Sequence, residues 1–142
     1  RRRKAEGVSV PVRLDAEGGG ALVAFLPVAL PSGDTISVEV DTGSQALILN
    51  ERFMGALNIS PGGSHTRRVE GRDETGHEFV RYFSTLSGRV QVARQPTLGV
   101  ESPDAMFQKI IYDGLIGHEF LRQFIVTYDL PGAEMIFRNP SD

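Results

Sequence analysis

In residues 37–49, SVEVDTGSQALIL, an aspartate breaks an apolar alternation. Ile36, Val38 and Val40 fall on every second position, the spacing of one strand face. Asp41 follows, then Thr42, Gly43 and Ser44, and apolar residues resume at Ala46. A carboxylate between two apolar runs lies in a turn held in the interior, where its charge needs stabilising neighbours. Taken alone, Asp-Thr-Gly reads as a plain turn, with Asp41 closing a strand and Gly43 supplying a positive φ. Two further segments weigh against that reading. A glycine-tipped hairpin signal follows about thirty residues on, far enough to fold over a cleft. Near the end, Asp113-Gly114-Leu115-Ile116-Gly117 sets an apolar pair and a glycine just before a short amphipathic segment.

Other chemistries have less to stand on. The chain has no cysteine, which removes disulfides, thiolate nucleophiles and cysteine metal sites. His65, His77 and Asp73 could meet a metal across the hairpin, but no spacing fixes their geometry. No metal or cofactor is expected. The net charge is -3, which gives none of the basic footprint that nucleic acid requires. Arg67, Arg68 and Arg72 read as a solvated face, or as a preference for acidic residues in a substrate.

Val40-Asp41-Thr42-Gly43-Ser44 and Asp113-Gly114-Leu115-Ile116-Gly117, in this order and at this spacing, resemble the single-domain, retropepsin-like aspartic peptidases. The resemblance covers roughly residues 20–138, and Thr127-Tyr128-Asp129 with the final hairpin looks like the bacterial branch. It implies an all-β acid-protease barrel with one or two short helices and a flap. Asp41 resembles the catalytic aspartate and Thr42 the residue whose hydroxyl crosses to a partner loop. Gly43 resembles the glycine that leaves room for substrate backbone, and Ser44 a serine that hydrogen-bonds the catalytic carboxylate. Leu115, Ile116 and Gly117 resemble the psi-shaped segment beneath the aspartate loop. Val69, Glu70, Gly71, Arg72, Asp73, Glu74, Thr75 and Gly76 would form the flap and touch substrate.

Such hydrolysis needs two carboxylates sharing a proton, because like charges about 3 Å apart do not both ionise. This chain carries one Asp-Thr-Gly; Asp113, Asp129 and Asp142 lack the following Thr/Ser-Gly. The resemblance therefore implies a homodimer that meets at Asp41 on a twofold axis and hydrolyses protein or peptide substrates. Gln45 and His118 stand where retroviral relatives carry an acid and an arginine that pair near the dimer interface. The dimer is then weaker or held differently. The alternatives are a catalytically weak or inactive module of the same fold that dimerises or binds peptides, and an unrelated small β-barrel with an accidental Asp-Thr-Gly.

The elements that must position these residues read as short strands. They are expected over 22–30 (bent or at an edge because of Pro27), 35–40, two arms flanking 71–76, 89–93, 97–100, and a hairpin of 125–130 with 134–137. Asn50 caps a short helix over 51–57. Residues 101–109 read as a loop with at most one helical turn. Phe120, Leu121 and Phe124 share the buried face of a late helix, and Phe53, Phe107 and Tyr112 read as core.

Forty per cent of the 142 residues are hydrophobic, an ordinary balance for one domain. Residues 19–138 are expected as that domain, with 1–18 a partly disordered tail and 139–142 a short one. Residue 1 is not methionine, so a fragment or processed product is expected. Arg1-Arg2-Arg3-Lys4 is a solvated tail or the flank of a membrane tether outside this fragment. The compartment is open, a bacterial periplasmic or membrane-tethered setting being among the choices. The run 21–30 does not read as a signal peptide, since it contains Pro27 and follows Asp15 and Glu17.

Overall fold

The computed structural model describes residues 7–16 and 22–140. Among them are thirteen strands: β1 (Val8–Pro11), β2 (Arg13–Ala16), β3 (Leu22–Ala29), β4 (Thr35–Val40), β5 (Leu47–Asn50), β6 (Arg67–Arg72), β7 (Glu78–Thr85), β8 (Arg89–Val92), β9 (Gly99–Glu101), β10 (Asp104–Gln108), β11 (Gly114–Ile116), β12 (Ile125–Asp129) and β13 (Glu134–Arg138). Helix is confined to a 3-10 turn at Glu51–Phe53 and to α1 (His118–Leu121). The all-β class expected from the strand signals is what the chain adopts.

Ten strands form one sheet in the order β6-β7-β10-β5-β11-β4-β3-β8-β9, with β2 also on β3. The other three form the sheet β1-β13-β12. One core joins the two, since Val10, Met135 and Phe137 cluster with Leu26, Val28, Val38 and Phe107. Burial alternates along β4, with Ile36 and Val38 inward, as its period-two pattern requires.

Pro27 does not place β3 at a sheet edge. It sits where β3 exchanges one neighbour for another, because β2 pairs with residues 22–25 and β8 with Val28 and Ala29. A residue without an N–H is tolerated at that gap, and its carbonyl accepts the amide of Ala93 at 2.9 Å.

Three expectations are corrected. Residues 8–16, read as part of a tail, supply two strands, and Val10 and Val12 are buried in the core. The rest of that tail, 1–6 and 17–18, lies outside the described residues, as does the end of the chain at 141–142. Residues 104–108, read as loop, are β10, a central strand parallel to β5 and antiparallel to β7. Ala105, Met106 and Phe107 are all buried, so no alternation announced it. The helix over 51–57 is a single 3-10 turn, which Asn50 does cap by accepting the Arg52 amide at 3.0 Å.

Candidate active site

The Asp41 loop is fixed by backbone geometry before any side chain is considered. β4 and β5, which lead into and out of the loop, are not neighbours. β11 lies between them, parallel to β4 and antiparallel to β5. The amide of Asp41 donates to Ile116 O at 3.0 Å, extending the β4–β11 ladder by one residue. Within the loop the Ser44 amide donates to Asp41 O and the Gly43 amide to Asp41 Oδ1, both at 3.0 Å. Beyond β11 the chain returns to the loop, where His118 N donates to Ser44 O at 2.8 Å and Glu119 N to Gln45 O at 3.0 Å. The first two amides of α1 are thus satisfied by the carbonyls that follow Asp41.

Two glycines are demanded by this packing. A Cβ on Gly117 would overlap the carbonyl oxygen of Ser44, and one on Gly114 would lie 2.6 Å from Ile48 O. The backbones approach more closely than any side chain allows. Ile116 and Gly117 therefore meet the aspartate loop directly, with Ile116 fully buried, while Leu115 pairs with Glu39 and Ile48 beside it.

Asp41 and Ser44 are half-buried, while Thr42 and Gly43 are exposed, and Gly43 does not take the positive φ that a plain turn reading gave it. The Ser44 hydroxyl donates to Ala46 O at 3.4 Å, so in the single chain it braces the loop exit and not the carboxylate. Gln45 and His118 are exposed, and the contacts joining their segments are backbone hydrogen bonds.

Asp113 is occupied at the far end of β4. Its Oδ2 accepts the Ser37 amide at 3.0 Å, its Oδ1 takes the Arg52 guanidinium, and its carbonyl accepts the Asn50 amide at 2.8 Å. Asn50 is itself buried and donates from Nδ2 to the carbonyls of Ile110 (2.9 Å) and Tyr112 (3.2 Å). Sequence reasoning saw a cap and a turn residue. The clamp they make, tying the exit of β5 to the entrance of β11, was not visible.

The flap candidate is the hairpin of β6 and β7, at one end of the large sheet and paired from Arg67↔Phe83 to Arg72↔Glu78. Val69, Glu70, Gly71 and Arg72 lie on β6 and Asp73, Glu74, Thr75 and Gly76 in its tip. Among the described residues, the hydrogen bonds around Asp73, Thr75 and His77 run within the hairpin. Asp73 Oδ1 accepts from Thr75 N (2.9 Å), His77 N (2.9 Å) and Thr75 Oγ1 (2.6 Å), and Gly76 takes φ +88°. The Thr75 hydroxyl first, then the His77 amide, holds the Asp73 carboxyl below its ordinary range. His77 is spent on this tip and His65 lies at the hairpin base, where its carbonyl accepts the Ser84 hydroxyl at 3.3 Å.

Strand register relates the hairpin to the loop. Arg67, Phe83, Met106, Ile48, Leu115, Glu39, Phe25 and Arg13 are directly opposed in succession across eight strands. Opposed residues share a sheet face, so this row runs from the hairpin to within two residues of Asp41. The opposite face carries the core residues Leu47, Leu49, Ala105, Phe107 and Val38. A cavity of about 450 Å³ opens on the row, lined by Ala46, Arg67, Phe83, Asp104 and Met106 among others.

No family model and no curated protein matches the sequence. Among solved structures the chain is similar to a retropepsin-like aspartic protease from Rickettsia conorii, with 14% identity, a TM-score of 0.58, and 92% of this chain and 88% of that one covered. At that identity the likeness concerns architecture, and in architecture this chain shares the fold of the retropepsin-like proteases.

Proposed function

We propose that the chain is an aspartic endopeptidase working as a homodimer, with Asp41 from each of two copies forming the catalytic pair. The observation that carries this reading is the placement of Asp41. Its backbone is pinned to Ile116 and one carboxylate oxygen is engaged by Gly43, within a fold shared with a retropepsin-like protease. A carboxylate kept half-buried at the tip of a loop built by two glycine-dependent contacts has a fixed position and an open approach.

In the proposed reaction the ionised carboxylate takes a proton from a water whose oxygen attacks the scissile carbonyl carbon. The protonated carboxyl of the second copy donates to the carbonyl oxygen. Collapse of the tetrahedral intermediate breaks the C–N bond as the amine nitrogen gains a proton, leaving a new carboxyl and a new amine. Thr42, exposed in the single chain, has a hydroxyl available to a partner loop. Substrate would lie extended on the row that joins the loop to the hairpin, Ile48 and Leu115 offering apolar contact.

The test is cleavage of an unstructured protein by the purified chain between about pH 4 and 7, with pepstatin and the Asp41→Asn variant as controls. Pepstatin-sensitive cleavage that disappears in the variant is the expected result. Cleavage that persists in Asp41→Asn overturns the assignment. Peptide binding without turnover leaves the module that binds peptides and dimerises.

A further inference from the structure

The hairpin carries Arg67, Arg68 and Arg72 on β6 and Arg81 on β7, and register sorts them onto two faces. On one, Arg68 pairs with Glu70, and Arg72 pairs with Glu78 at 2.6 Å. Those two charges are neutralised within the hairpin. On the other, Arg67, Val69, Gly71, Phe79, Arg81 and Phe83 lie together, the face that continues into Met106, Ile48 and Leu115.

On that second face each guanidinium lies over a ring and not against an acid. Arg81 sits 4.1 Å from the centre of Phe79 and Arg67 sits 4.3 Å from that of Phe83. Phe79 in turn lies across the bare Cα of Gly71. Stacking holds a planar guanidinium in place and leaves its N–H edge free to donate. The Nε of Arg81 is enclosed and has no hydrogen-bond partner. A ligand would therefore meet the half-exposed Arg81 side chain at its Nη edge and not at the enclosed Nε. Of the acids on this face, Asp104 lines the same cavity as Arg67 but accepts the Thr85 hydroxyl at 2.6 Å, and Glu39 is four strand spacings from β7, roughly 19 Å along the sheet, with a partner of its own.

We propose that this face of the hairpin is a carboxylate-binding subsite, in which Arg81, assisted by Arg67, receives the acidic side chain of an extended peptide. This inference rests on the peptidase reading for its ligand, but binding can be measured apart from cleavage. Arg81 here determines specificity and takes no part in the chemistry. Arg68 and Arg72, already paired, do not discriminate.

The probe is a fluorescent decapeptide series that moves one Glu along an otherwise neutral sequence, with Gln counterparts, each made with a free and an amidated C-terminus. Binding is measured on Asp41→Asn protein and kcat/KM on the wild type. At one register the Glu peptide should bind about tenfold or more tightly than its Gln counterpart, whether or not the terminus is amidated. Arg81→Met, which keeps an apolar stem against Phe79, should bring that ratio close to one. Arg81→Lys, a charge without the planar fork, should leave it in between. Equal binding of Glu and Gln peptides, no binding of any Glu peptide, or a ratio unmoved by Arg81→Met and Arg67→Met overturns the subsite. Selectivity that follows the free terminus overturns the side-chain assignment. Asp41-dependent cleavage without Glu selectivity defeats this inference alone. Glu-selective binding without cleavage defeats the peptidase reading alone.

Discussion

The amide of His118 donates to the carbonyl of Ser44 across 2.8 Å, although 74 positions separate the two residues (118 minus 44). This bond, with its neighbour from Glu119 to Gln45, makes the aspartate loop part of a two-segment structure. Gly117 is the residue that lets the second segment come so close.

Gly117→Ala is accordingly expected to be among the most damaging small changes in the chain. The added methyl overlaps the Ser44 carbonyl, and backbone on both sides must move. A loss on the order of 2 to 4 kcal/mol is expected. Urea unfolding reads it directly. A variant of wild-type stability would mean the two segments do not pack as described.

Asp113→Ala separates structure from chemistry. It strands the Ser37 amide and releases Arg52, costing about 1 to 3 kcal/mol. Turnover per folded active site should change little, because this carboxylate is spent at the end of β4 remote from Asp41. Thermal melts and kcat on the same preparation would distinguish the two effects. A collapse of kcat with an unchanged melting temperature would reinstate Asp113 as a catalytic acid.

The hairpin tip should loosen in acid. The folded tip depresses the pKa of Asp73, so the folded form favours the carboxylate. That contribution is fully present above the ordinary Asp range and is lost as pH falls through the depressed folded value. NMR titration should show the Thr75 and His77 amides shifting together below the usual Asp range, and Asp73→Asn should remove the transition. Shifts centred at the ordinary Asp value would mean that the three hydrogen bonds do not favour the ionised form.

Dimer catalysis has its own signature. Well below the dissociation constant, a tenfold dilution should cut activity per chain about tenfold, because dimer concentration scales with the square of total chain. In a one-to-one mixture with Asp41→Asn, random pairing leaves about a quarter of dimers with both aspartates. Activity per chain that stays flat through dissociation, with no poisoning by the variant, would mean one chain suffices.

How far the sequence could be read follows from what each residue answers to. Asp41 stood out because its signal is local, a carboxylate ending an apolar strand. Gly114 and Gly117 stood out only through a resemblance, since the carbonyls that forbid a side chain there belong to Ile48 and Ser44, more than sixty positions away. β10 was not, because Ala105, Met106 and Phe107 are all buried and their partners lie some 20 and 60 residues away on β7 and β5. β1 showed only as a weak alternation over residues 8–14, because its pairing is with β13 at the other end of the chain. The hairpin was legible as a hairpin, but not the division of its arginines. That division depends on register, and a slip of one residue would exchange the two faces.

The insertion of β11 between β4 and β5 also sets an order of events. Strand β4 acquires its parallel neighbour only after residues 114–116 exist and the long intervening chain has closed. On the ribosome, β4 can already pair with β3, but the Asp41 loop lacks its second support until residues 114–116 have been made. A nascent or truncated chain lacking that piece has no positioned carboxylate. Under the proposed function, the catalytic carboxylate is therefore the product of a late event in folding.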